Sequence, residues 1–164
     1  ERIARVEDKV IQKLMNIRKA EIGYQTKYGQ YTASWDSLVN FIKYDSFFIT
    51  QKSETIITLA YGADSVIVNI DTLGTVAVMD TLFNTPEFKN YDFSKLKYIP
   101  ENQKNAEFEI FTARIEKSGV KVNVIEVRDT DPVDRTRNEE NDGRNRKPLR
   151  FGSRTDVTTS GNWE

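Results

Sequence analysis

The chain has 164 residues, 38% of them hydrophobic and 11% aromatic, with 24 basic and 25 acidic side chains and a formal net charge of −1. That length suits one domain with an appended tail, and the balanced charge without a basic, aromatic-interleaved patch argues against nucleic acid as a partner. Neither Cys nor His occurs, which excludes disulfides, thiolate nucleophiles, metal sites built on those ligands, Ser-His-Asp catalysis and histidine proton switches.

Residues 1–28 have the period of an amphipathic helix with two apolar ridges. Ile3, Val6, Val10, Leu14, Ile17 and Tyr24 form the first. Ala4, Ile11, Met15 and Ile22 form a second, about 100° further round. One ridge can pack on a sheet, and the other is covered either by more of the same domain or by a helix of a second subunit. Gly29 suits the helix stop, and Ser34 suits the N-cap of a short second helix over residues 35–43.

The period then changes to two. Residues 55–60 and 65–70 read as strands joined across residues 61–64, with a third at 75–79 after a turn at Leu73-Gly74. Residues 84–107 suggest an ordered loop with a short strand near 96–99. A hairpin follows, turning at residues 116–119 and returning through Val120, Val122 and Val124. Sequential strands with short turns imply an antiparallel sheet, so the expected class is α+β: a long N-terminal helix packed on an antiparallel sheet. Residues 129–148 are almost devoid of apolar side chains and are expected as a solvated or disordered segment, with Trp163 anchoring the end. The division is 1–128 for helix and sheet and 129–164 for the charged loop and anchoring segment.

Clusters that carry chemistry elsewhere have plainer readings here. Asp129, Asp131 and Asp134 are spaced for calcium, but the EF-hand glycine and distal Glu are missing and Arg135 and Arg137 stand close by, so a solvated loop is expected. Glu107, Glu109, Glu116 and Glu126 could serve acid–base catalysis only in a perturbing pocket, and exposed strand positions account for them. Tyr24, Tyr28, Tyr31, Trp35, Phe41, Tyr44, Phe47 and Phe48 are either core or a sugar- or peptide-binding surface. The basic run Arg144, Arg146, Lys147 and Arg150 is offset by Glu139, Glu140 and Asp142. No catalytic residue, cofactor or metal is expected. No apolar run of about 18 residues is present to span a bilayer, and a chain opening at Glu1 inside a helical pattern is expected to have an upstream segment.

Two resemblances follow from particular residues. Ile17-Arg18-Lys19-Ala20 with Tyr24, Tyr28-Gly29, Tyr31-Thr32 and Leu38 resemble the end of the stalk helix and its turn in type IV pilins and type II secretion pseudopilins. Ile17-Arg18, Tyr24, Tyr31, Asp71-Thr72, residues 80–83, residues 118–122 and the Gly161-Asn162-Trp163-Glu164 end resemble uncharacterised single-pass, membrane-anchored envelope proteins of Bacteroidota. The resemblances imply a pilin-like head, an upstream membrane anchor and a periplasmic or cell-surface location. The expectation is therefore a non-enzymatic envelope structural subunit that contacts itself or another envelope protein through Ala4, Ile11, Met15 and Ile22. A scaffold or binding module of a secretion or motility machine is the alternative.

Overall fold

The computed structural model describes residues 1–164. Helix α1, Arg2–Tyr28, buries Val6, Val10, Leu14, Ile17 and Ala20 on one face, the first ridge of the sequence pattern. Ile3 leaves that ridge and is exposed, because nothing covers the first turn. At the C-terminal end Gly29 takes a left-handed conformation (φ 77°) and its N–H returns to the Gln25 carbonyl at 2.8 Å. Ser34 then accepts from the Ser37 N–H at 3.2 Å and starts helix α2, Trp35–Tyr44, which buries Leu38, Phe41 and Ile42.

Strand β1, Ser46–Thr58, and strand β2, Asp64–Ala77, form a two-stranded antiparallel hairpin. It begins nine residues earlier than the sequence pattern suggests, and the expected third strand at 75–79 does not form. Leu73-Gly74 is no turn: Ile49 pairs with Gly74 and Thr50 with Thr72, leaving Leu73 as the extra residue of a bulge inside β2. A bulge absorbs one residue without reversing the chain, so 75–77 continue the same ladder. The Val78 N–H closes that ladder on the Asp45 carbonyl at 3.0 Å, and residues 78–82 become a short helix, α3, with Val78 fully buried.

The segment from 83 to 108 packs as an aromatic layer, in which Phe83 meets Phe88 and Phe93 with ring centroids 4.9 and 5.1 Å apart. The short strand expected near 96–99 reduces to one bridge, Tyr98 with Glu107, after a 3-10 turn at Phe93–Lys95. Strands β3, Glu109–Lys117, and β4, Val120–Arg128, form the expected hairpin. Its two-residue turn places both Ser118 (φ 52°) and Gly119 (φ 80°) left-handed, the geometry whose twist matches the strands. Ile125 and Val127 of β4 join the main core, whereas the Val120–Val122–Val124 face runs from 60% exposed at Val120 to buried at Val124 (1%). Strand β5, Arg150–Gly152, adds to β4, and Phe151 is fully buried. Gly152 (φ 85°) is required there, since a Cβ would stand 1.9 Å from the Ile125 carbonyl oxygen.

The class is thus α+β, an N-terminal helix with antiparallel sheets. One core joins α1, α2, α3, the aromatic layer and the three-stranded sheet. Each fully buried Leu, Ile or Phe there contributes about 1.5–3 kcal/mol.

Residues 129–148 are not a free solvated loop. Asp129 and Pro148 are buried, Val133 packs on the core, and Leu149, the next residue in the chain, belongs to it. Arg137 reaches α1, donating to Glu7 at 2.6 Å and to the Asn145 carbonyl at 2.7 Å. The arginines that make the segment look soluble supply long, multidentate donors, and these replace the missing apolar contacts. β5 lies within residues 129–164 and bonds to β4 of residues 1–128. Arg18 of α1 donates to Glu164 at 2.9 Å, and its guanidinium lies 5.6 Å from the ring centroid of the half-buried Trp163.

Candidate interaction surfaces

The residues of the second α1 ridge have different surroundings. Ala4, Met15 and Ile22 are exposed, the last two at 38% and 41%, while Ile11 is half-buried against the core of its own chain. The ridge is therefore an apolar stripe with one member already partly covered.

A larger apolar surface lies on the hairpin of β1 and β2. From residue 48 to residue 73 nearly every side chain is exposed, and the hairpin touches the body mainly at its base, through α3. At about 3.3 Å per residue the free part extends roughly 35 Å. One of its faces carries Phe48, Lys52, Glu54 and Ile56 of β1 opposite Thr75, Ile70, Val68 and Val66 of β2. Phe48, Ile56, Val66, Val68 and Ile70 are 60%, 66%, 55%, 48% and 68% exposed. A patch of such β-branched and aromatic side chains on a two-stranded element is unusual for a monomer, because an isolated hairpin is marginal in water. We refer to residues 46–77 as the arm.

The arm's base is fixed by charge. Lys27 of α1 bonds the Asp45 carboxylate and the Ser46 carbonyl, and Tyr28 donates to the same carboxylate. Partial burial works against the charge on Asp45, but the Lys27 and Tyr28 donors hold its carboxyl below the usual range. Gly23 of α1 lets the base approach, since a Cβ there would stand 2.8 Å from Leu82 and 3.3 Å from Phe47.

The aromatic residues divide between core and surface. Phe41 is buried, with Tyr24, Tyr31, Trp35 and Phe47 packed around the core, whereas Tyr28, Tyr44 and Phe48 are 49%, 79% and 60% exposed. Tyr24, Tyr28, Phe41 and Tyr44 line a shallow groove of about 380 Å³.

The acidic clusters engage in structure. Glu126 accepts from Arg154 at 3.0 Å, and Glu109 accepts from Arg128 and Arg154 at 2.9 Å each. Hydrogen bonding from Arg128, against some burial, holds the Glu109 carboxyl low. Asp131 accepts from Asn102 and Arg135, and Asp134 from Thr136, so these carboxylates turn to separate partners rather than to a shared centre.

Glu126, expected at an exposed strand position, is instead only 8% exposed, because Arg150 and Arg154 cover and pair it, and the burial of two further carboxylates escaped the sequence pattern. Glu21 is fully buried; its Oε1 accepts the Thr32 N–H at 3.0 Å and its Oε2 has no partner. Burial raises its pKa to about 8, against the lowering effect of the Thr32 bond. Burial likewise raises Asp129 to about 6, with the Asp131 N–H bond opposing. Position 21 follows Val10, Leu14 and Ile17 at helical spacing, so its burial was available from the period alone. The two acids lie on different segments, and neither lines the principal surface clefts. No protein-family model matches the chain, and comparison with curated proteins and with solved structures finds no match.

Proposed function

We propose that this chain is a non-enzymatic structural subunit of the cell envelope, tethered to a membrane, that assembles by protein–protein contact. The observation that carries the reading is the arm: a projecting hairpin with apolar side chains exposed on both faces, stable in water only when something covers it. The exposed Ala4, Met15 and Ile22 stripe supports a second contact along α1. The envelope location, the membrane tether and the pilin-like head rest on the resemblances around residues 17–38 and 118–122. The free edges of the arm also favour a second reading, a scaffold module that docks a different envelope protein by strand addition.

Photo-crosslinking residues at Met15 and, separately, at Tyr61 on the arm's tip test both readings in the cell of origin. Membrane-fraction adducts between copies of this chain support the structural subunit, and adducts to another envelope protein support the scaffold. Protein recovered free of the membrane fraction, with no protein adduct at either position, overturns the proposal.

A further inference from the structure

We infer that the free edge of β1 pairs antiparallel with β1 of a second copy, about a two-fold axis at Ser53, joining two arms into one four-stranded sheet. This inference rests on reading the arm as an assembly surface and names the partner of its open backbone edge.

The direction in which the backbone groups point fixes which residues can pair. The Leu59 N–H bonds the Ala63 carbonyl at 2.7 Å at the tip, and the Val78 N–H bonds the Asp45 carbonyl at 3.0 Å at the base. Odd-numbered residues of β1 therefore bond inward to β2, and even-numbered ones present N–H and C=O to the outer edge. At Ser46 that edge is closed, because Asp45 accepts its N–H and Lys27 takes its carbonyl. From Phe48 to Thr58 it is open, a row of unpaired backbone groups on exposed residues.

Charge selects the register. Lys52 and Glu54 are successive outward-bonding residues on the same face, and their partners across β2 are Ile70 and Val68, which leave both charges unpaired within the chain. Centring the two-fold on Ser53 sets Lys52 of each copy opposite Glu54 of the other. Shifting the centre one residue either way sets Lys52 against Lys52 or Glu54 against Glu54, and like charges directly opposite are destabilising. The same register sets Ile49 opposite Ile57 and Phe48 opposite Thr58. The β2 edge lacks this specificity: Val66, Val68 and Ile70 pair equally well in several registers, and the Leu73 bulge distorts the edge near the base. Four strands also pass the number at which a sheet becomes stable in water, which the lone hairpin does not reach.

The absence of cysteine makes the test direct. At the two-fold axis Ser53 faces its own copy in a non-hydrogen-bonded pair, with Cα atoms roughly 4.5 Å apart, within disulfide reach. The purified S53C chain should oxidise mainly to a disulfide-linked dimer. T55C should remain monomeric, since Thr55 faces Gln51 of the other copy and lies roughly 13 Å from its own counterpart. N69C, on β2, should do the same. In sedimentation, K52E should weaken the dimer roughly tenfold or more by replacing two attractive pairs with two repulsive ones, and K52E/E54K should restore it. All these positions are exposed, and circular dichroism checks that each variant folds.

Equal cross-linking of S53C, T55C and N69C, or no rescue by K52E/E54K, overturns the register and with it the inference. A monomer in every assay whose Tyr61 position labels a different envelope protein in cells overturns self-pairing and leaves the assembly role standing. Binding of the arm to phospholipid vesicles in place of dimerisation overturns both.

Discussion

Replacing Glu21 with Gln isolates a charge that the fold keeps out of water. In the unfolded chain this carboxyl ionises near 4.5, and in the folded protein burial raises it to about 8. Between those values the unfolded state binds fewer protons than the folded one, so stability falls as pH rises and levels off above about pH 8. The full difference is worth about 5 kcal/mol, of which roughly 4 kcal/mol is lost between pH 5 and pH 9. Gln keeps the acceptor for the Thr32 N–H but places an amide group where Oε2 has no partner, costing about 1–3 kcal/mol at every pH. Glu21→Gln should therefore be the less stable protein at pH 5, by up to about 2 kcal/mol, and the more stable one at pH 9, by about 2–4 kcal/mol, with the curves crossing near pH 6. Urea denaturation of both proteins at pH 5, 7 and 9 reads this directly. Asp129, raised to about 6, adds a similar slope at lower pH but does so in both proteins and cancels in the difference. A difference between the two that stays constant from pH 5 to pH 9 would refute a buried, neutral Glu21.

Arg137→Ala removes the donor that ties residues 129–148 to α1 and leaves Glu7, only 18% exposed, without its cation. The expected loss is about 2–3 kcal/mol, with faster amide hydrogen exchange across 134–147; unchanged exchange would mean the loop is held by other contacts. Gly152→Ala forces a Cβ against the Ile125 carbonyl at a left-handed φ of 85°. It should cost about 3 kcal/mol or more and detach β5, seen as a lowered Tm and loss of protection at residues 150–152.

The helices were legible because their cause is local. The ridge of Val6, Val10, Leu14 and Ile17, the Gly29 stop and the Ser34 cap each depend on a few neighbouring residues. The turn at Ser118-Gly119 was legible for the same reason. The segment 75–79 misled because its alternation is genuine as far as Ala77. What ends it is Val78 entering the core and bonding Asp45, a contact between residues far apart in the chain. Leu73-Gly74 has the composition of a turn, and only pairing with Ile49 and Thr50 makes it a bulge.

For the candidate surfaces, sequence alone located an apolar second ridge on α1, but which members stay exposed depended on how much of α1 the core covers: Ile11 is partly taken up, and Met15 and Ile22 are not. The alternating residues 55–60 and 65–70 were readable as strands, yet alternation is the same whether a sheet packs on a core or projects from it. Tertiary structure decided that the hairpin stands free, because α3 and the Lys27–Asp45 pair fix its base and the compact body offers nothing to cover the rest. Likewise the composition of residues 129–148 established their charge, and only the fold, by placing Glu7 within reach of Arg137, turned that charge into order. Local periodicity and turn chemistry thus set the elements, while the partners of each charged or apolar face were decided by which distant segments the chain brought beside it.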